Sequence, residues 1–293
     1  PAALDAMLPF LRDSYGNPSS LYSFSRSAKK ALQEARNTVA ECIGALPEEV
    51  IFTSGGSESD NWAIKNFAFA NPQNRRQILT SPIEHHAILN SCAEAVRLFG
   101  CSTGCVAVDK FGTIDIDDFL AKLSENTAGV SIMLANNEIG TIQPIDDIGK
   151  IATKYNICFH TDAVQAYMHL RINVHDMAIS MLSASAHKFG GPKGVGFLYI
   201  RKDQPIRAFM HGGSQERHMR SGTENVPGIA GMGKAVELGM KHGKEEAAYV
   251  KKLRNDTIKK LFREIPYLRL NGDFHHRLPG NINISFQFVE AQS

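Results

Sequence analysis

From residue 25 to residue 200 the chain alternates helix-like and strand-like apolar patterns, and the strand-like ones show no polar alternation. EVIFTS (49–54), QILTS (77–81), GVSIMLA (129–135), ICFHTD (157–162), MAISMLSAS (177–185) and GVGFLYI (194–200) are apolar or small nearly throughout. A strand with one wet face alternates with period two. Runs without that alternation suit strands covered on both faces, as in a parallel or mixed sheet between helix layers. The intervening segments supply the helices. SRSAKKALQEARNTVAECIG (25–44) sets Ala28, Leu32, Ala35, Val39 and Ile43 at three- and four-residue steps and stops at Gly44. GGSESDNWAIKNFAFA (55–70), HAILNSCAEAVRLFG (86–100) and DDIGKIATKYN (146–156) read as helices too. The pattern predicts an α/β large domain over residues 1–240. From about residue 227 a long helix is expected, followed by strands in PYLRLNG (266–272) and NINISF (281–286). These predict part of a smaller α+β domain over 241–293, with the chain ending just inside it.

Composition narrows the function. Net charge is +2 with Lys and Arg scattered, so the concentrated basic patch of a nucleic-acid binder is absent from the sequence. The longest apolar runs, such as VSIMLA and GFLYI, are too short to cross a bilayer. PAALDAMLPFL lacks a basic start and carries Asp5, so no secretory signal is expected there. Five cysteines at irregular spacing (42, 92, 101, 105 and 158) argue against a disulfide framework and for a reducing, cytoplasmic setting. Cys101 and Cys105 lack a second pair, and no metal site is expected.

In open α/β sheets ligands bind at the carboxyl ends of strands, so those positions hold the candidate residues. After EVIFTS come Gly55, Gly56, Ser57 and Glu58, where free amides at a helix start favour an anion; an ordinary helix cap is the alternative. After QILTS comes His85, which can stack on a flat ring or carry a proton near neutral pH, or be a plain loop histidine. Asn136 and Asn137 after GVSIMLA offer amides to a ligand, or simply a turn. Asp162 directly follows an apolar strand, with Gln165 three residues on. A carboxylate in a poorly solvated cleft needs a cation, although Asp is also a common helix cap. Lys188 sits in a glycine-bounded turn beside Ser185 and His187. A lysine attacks carbonyls only when neutral, and desolvation or a nearby cation favours that form. Lys193 reads as the surface lysine of the same turn. HGGSQERHMRSGTEN (211–225), with Arg217 and Arg220, reads as a second anion loop or as a merely polar one. An acid, a lysine, a stacking histidine and two anion loops together point to pyridoxal 5'-phosphate. Asp162 would hold its ring nitrogen protonated and Lys188 its aldehyde as an imine.

In the order YGNPSS, TSGGSESDN, EHHAIL, NNEIGTIQPI, HTDAVQA, SASAHKFGGPKG, HGGSQERHMRSGTEN and LPGNINISF, the chain resembles the NifS/IscS-type cysteine desulfurases, class V aminotransferase-like enzymes. The resemblance implies an aspartate-aminotransferase-like (fold type I) large domain with a mainly parallel, seven-stranded-type sheet. It implies that Lys188 is the Schiff-base lysine, His85 the ring-stacking histidine and a proton carrier, and Asp162 the partner of the pyridine nitrogen. Gln165 and Asn137 fall where the family contacts the ring's phenolic oxygen, and Gly56, Ser57, Ser185 and His187 at phosphate contacts. Ser57 stands where threonine is common. Thr223 matches a threonine that reaches the partner subunit's phosphate, which implies a homodimer. The implied reaction converts L-cysteine to L-alanine and an enzyme persulfide, which supplies a sulfur-acceptor protein of iron–sulfur scaffold or tRNA-thiolation type. The family's opening Ala-Thr-Thr strand, its mobile-loop cysteine and its substrate-carboxylate arginine have no matching segment here, so none of the five cysteines is assigned as nucleophile. A related class V aminotransferase, a selenocysteine lyase and a non-catalytic dimerisation or scaffold fragment are the alternative readings.

Overall fold

The computed structural model describes residues 1–71 and 73–290. In chain order the elements are helices α1 (Ala2–Arg12) and α2 (Arg26–Ile43), strand β1 (Val50–Thr53), α3 (Gly56–Phe69), β2 (Gln77–Thr80), α4 (His86–Phe99), β3 (Ser102–Cys105), α5 (Ile116–Lys122), β4 (Thr127–Ser131), α6 (Ile145–Lys154), β5 (Cys158–Asp162), β6 (Met181–Ser185), β7 (Gly196–Ile200), α7 (Val226–Glu264), β8 (Leu268–Leu270) and β9 (Ile284–Phe286). The first seven strands form one sheet in the order β1-β7-β6-β5-β4-β2-β3. β7 runs antiparallel to β1 and β6, and the remaining pairs are parallel. This is the mainly parallel, helix-covered sheet of fold type I.

The unbroken apolar strands have a direct explanation in the packing. Phe52, Leu79, Leu182, Phe197 and Tyr199 join the larger core cluster, whereas their strand neighbours Ile51, Ile78, Met181, Leu198 and Ile200 join a second cluster. Successive side chains of a strand point to opposite faces, so two clusters mean two covered faces. Trp62, Ile64 and Phe67 of α3 and Ile88 and Cys92 of α4 belong to the second cluster. Val39 and Ile43 of α2, Ile148 of α6 and Met232 and Val236 of α7 belong to the first.

Some elements differ from the sequence expectation. α1, α5 and the edge strand β3 were not anticipated; β3, with sequence STGC, is mostly exposed and carries no apolar signal. The segment 177–185 enters the sheet only at Met181, because the chain turns through Ala178 at a φ of 52°. The ladder of β4 ends at Ser131, yet Ile132 and Leu134 still donate to the carbonyls of His160 and Asp162, so the segment follows β5 outward. α7 runs unbroken through the expected boundary at residues 240 and 241, and β8 and β9 form a separate antiparallel pair beyond it.

Candidate active site

Because β7 is antiparallel to both neighbours, β1 runs the same way as β6, and the exits of β1, β2, β4, β5 and β6 share one edge. There they enclose a cavity of about 580 Å³ lined by Gly56, Ser57, His85, Asn137, Asp162, Gln165, Ser185, His187 and Lys188, among others. Nine of the ten predicted residues therefore converge. A neighbouring cavity of about 670 Å³ shares Asn137, Gln165 and Lys188 and extends to α7 and Asn281. Thr223 is the exception: it is exposed and lines a separate cavity of about 240 Å³ with Ser54, Gly194 and Arg220.

One end of the main cavity is built for an anion. Gly55, at a φ of 148°, caps α3, so the helix starts without a side-chain cap. The Ser57 hydroxyl thus stays outside the cap, and among the described residues it makes no hydrogen bond. A Cβ on Gly56 would lie 2.5 Å from Val164 Cγ2, so only glycine lets this turn approach the β5 exit so closely. The amides at the start of α3 favour negative charge. Ser185 is buried and His187 exposed beside them, with burial and the Lys188 and Lys193 charges pushing the imidazole below its ordinary value. Lys193, read from sequence as a surface residue, is exposed but also lines this cavity.

The other end holds a carboxylate. Asp162 is 5% exposed and accepts the Val164 N–H at 2.8 Å. Burial raises its carboxyl, and the Val164 N–H, His85 and Lys188 only partly offset the shift. A carboxylate so placed is stabilised by a further cation. His85 caps α4, its Nδ1 accepting the Ala87 N–H at 3.1 Å, which leaves the proton of the neutral ring on Nε2. Lys188 ends a short 3-10 turn, Ala186–Lys188, closed by Gly190 at a φ of 84°. Its side chain is exposed to both cavities, and its carbonyl accepts from His169 Nε2 at 3.2 Å. The Asn137 amide donates to Glu138 at 3.0 Å, and Gln165 is half-buried with no hydrogen bond among the described residues.

Sequence reasoning passed over a buried polar layer beneath Asp162. His160 bridges Ser131 and Ser183, each at 2.9 Å, and burial pushes it down to about 3, so it is neutral. Asp60 lies 3.8 Å from His160, its Oδ1 without a hydrogen bond among the described residues, and burial followed by the nearby Asp162 charge raises it well above its usual range. Glu84 accepts the Ser81 hydroxyl at 2.6 Å and the Met133 N–H at 3.0 Å, and burial pushes it up to about 8. Asp60 was detectable: it falls on the stripe of Gly56, Ser59, Ala63, Ile64 and Phe67 that α3 buries. In the 211–225 loop, read from sequence as a second anion loop or a merely polar one, both arginines have partners within the chain. Arg220 is committed to Glu58 at 2.8 and 3.0 Å, and Arg217 donates to the carbonyls of Glu48 and Val50 at 2.6 and 3.0 Å.

A cationic ring nitrogen would satisfy Asp162, an aldehyde would find the Lys188 amine, and a phosphate would meet the start of α3. Pyridoxal 5'-phosphate carries all three groups, and the residues present fit it. Fold and site together define a pyridoxal-phosphate enzyme of the aminotransferase class. A profile of the family described as "Aminotransferase class-V" matches residues 1–293. "Cysteine desulfurase IscS" of Dictyoglomus turgidum (strain DSM 6724 / Z-1310) is 49% identical over 289 residues, covering 99% of this chain and 73% of that protein. A solved structure described as "NIFS-LIKE PROTEIN" superposes with a TM-score of 0.92 at 39% identity, covering 97% of this chain and 78% of that one. Another, "SspA in complex with cysteine", gives 0.86 at 37% identity, over 97% and 80%. The chain belongs to the pyridoxal-phosphate-dependent cysteine desulfurases of the IscS/NifS type, within class V of the aminotransferases.

Proposed function

We propose that the chain handles cofactor and substrate in the removal of sulfur from L-cysteine, yielding L-alanine and a persulfide-borne sulfur. The observation that carries this reading is the convergence of Lys188, Asp162 and His85 on one cavity whose far end suits an anion. When bound, pyridoxal phosphate supplies an electron sink that weakens bonds around the substrate's α-carbon. Asp162 would keep a proton on the ring nitrogen, because a cation there offsets the cost of its burial. Lys188 would hold the aldehyde, and its place in the lining of both cavities would let its amine move a proton at the substrate. His85, its tautomer held by the Ala87 amide, would be the group to stack on the ring, with its Nε2 proton free to be shared. Gln165 and Asn137 address the phenolic oxygen, and Gly56, Ser57, Ser185 and His187 hold the phosphate.

In our reading residues 1–240 form the cofactor domain and 241–293 part of a smaller one. Two copies pair so that Thr223 reaches the partner's phosphate. The protein works in the cytoplasm, and a protein of iron–sulfur scaffold or tRNA-thiolation type takes the sulfur. Burial raises the thiols of Cys42, Cys92, Cys101 and Cys158, and none of the five cysteines lines either large cavity. The sulfur-accepting thiol is accordingly assigned to none of them.

Borohydride reduction of protein incubated with pyridoxal phosphate, followed by peptide mass mapping, tests the assignment. A pyridoxyl mass on Lys188, lost in Lys188→Ala, is expected; an unmodified Lys188 would sink the reading. Alanine rather than keto-acid release from cysteine then separates a desulfurase from an aminotransferase.

A further inference from the structure

The anion-binding end of the cavity contains a charge of the wrong sign. Glu58 lies in the first turn of α3, next to Ser57, and lines the same cavity. Its side chain is only 11% exposed, and it accepts the Ser54 N–H at 2.9 Å, an amide of the loop that faces the anion site. A carboxylate there competes for the helix start and repels a phosphate dianion.

Arg220 is placed to cancel it. Its Nε and Nη2 meet the two Glu58 oxygens at 2.8 and 3.0 Å, a bidentate pair with Arg220 21% exposed. Although burial raises the Glu58 carboxyl, Arg220 and Ser54 together hold it below its ordinary value, so the pair is ionised. Nor is Arg220 a loosely held surface arginine. Four residues earlier, Glu216 is buried against Arg36 at 2.6 and 2.8 Å and accepts the Phe52 N–H at 2.9 Å. Glu216, Arg217 and His218 all take left-handed backbone, with φ of 43°, 57° and 65°. Three such residues in a row are costly and persist only where the surroundings hold them. The buried Glu216 anchor does this and fixes where Arg220 emerges.

We propose that Arg220 is a positioning residue for cofactor binding: by neutralising Glu58 it makes the start of α3 able to accept the phosphate, and it clips the 211–225 loop to that helix. The inference rests on the pyridoxal-phosphate reading above. It predicts a dependence on the phosphate alone, which a purely structural ion pair would not show.

The test measures dissociation constants of pyridoxal 5'-phosphate and of pyridoxal, which lacks the phosphate, by absorbance titration of the full chain. The proteins are wild type, R220Q, E58Q and the double variant E58Q/R220Q. Like charges within about 5 Å of each other cost more than about tenfold in affinity at protein-like dielectric. R220Q should lose about tenfold or more for pyridoxal phosphate while pyridoxal changes by less than about twofold. E58Q should bind pyridoxal phosphate as well as wild type or better, and the double variant should recover most of the R220Q loss. Equal losses for both ligands, or a double variant no better than R220Q, would overturn the proposal. If R220Q does not fold, E58Q decides: unchanged or tighter pyridoxal phosphate binding supports the proposal, and weaker binding overturns it. Wild type that takes up neither ligand would instead overturn the pyridoxal-phosphate reading, and the proposal with it.

Discussion

Glu84 makes the stability of this protein depend on pH in a direction opposite to that of most carboxylates. It is 5% exposed, and its two oxygens tie Ser81 to the Met133 amide, joining the loop that carries His85 to the β4 exit. Burial lifts the carboxyl from an ordinary 4.5 to about 8, with the Asp162 charge adding to the rise. Between those values the unfolded chain has released a proton that the folded chain still holds. Stability is therefore fully present below the unfolded value, falls as pH rises through the window, and levels off beyond the folded value. At about 1.4 kcal/mol per unit the whole effect approaches about 5 kcal/mol, an upper figure. Glu84→Gln keeps an acceptor for Met133 and an amide for Ser81 but cannot ionise. At about pH 5 it should match wild type to within about 1 kcal/mol, and at about pH 8.5 it should be the more stable by about 3 kcal/mol or more. Asp60 and Asp162 contribute a slope of the same sign in both proteins, and because the Glu84 charge also raises Asp60, its removal adds to the difference in the same direction. Urea unfolding of the cofactor-free protein, followed by circular dichroism across that range, reads it directly. A difference that stays constant with pH would refute the assignment of a buried, protonated Glu84.

Asp162→Asn removes the charge opposite the ring nitrogen while keeping the shape, so exchange of the cysteine α-proton with solvent in the cofactor-loaded protein should fall at least about tenfold. The borohydride adduct on Lys188 should still form; its loss would mean a structural defect. Gly56→Ala sets a methyl 2.5 Å from Val164 Cγ2 and should cost about 1–3 kcal/mol in urea unfolding, together with weaker cofactor binding. Arg36→Met leaves the Glu216 carboxylate buried and uncompensated, and a loss of about 3–5 kcal/mol is expected. A loss below about 1 kcal/mol would show that the 216–218 turn does not depend on that pair.

Much of the fold was legible because it rests on local patterns. Strands such as GVGFLYI announce burial on both faces, and α2 and α4 carry apolar stripes closed by Gly44 and Gly100. The elements missed lacked such a signal: β3 is an exposed edge strand, and the short α5 buries only Phe119. Site residues at strand ends were legible for a topological reason, since parallel strands deliver their exits to one edge whatever their order in the sheet. Lys188, Asp162 and His85 therefore meet although they are far apart in sequence.

What local pattern cannot carry is the partner of a charge. Arg220 and Glu58 are 162 residues apart, and Arg36 and Glu216 are 180. Nothing near either arginine indicates whether it is free to bind an anion or is already neutralised. In the loop read as a second anion site or a merely polar one, both arginines are already occupied, Arg220 by Glu58 and Arg217 by backbone carbonyls. The same holds for the protonation of Glu84 and Asp60 and the neutrality of His160, which depend on how completely distant segments exclude water around them. Strand character, helix faces and the chemistry available at each strand end are local properties, and they follow from residue order. Charge state and hydrogen-bond pairing are long-range quantities, set only when the sheet closes and the dielectric around each group is decided.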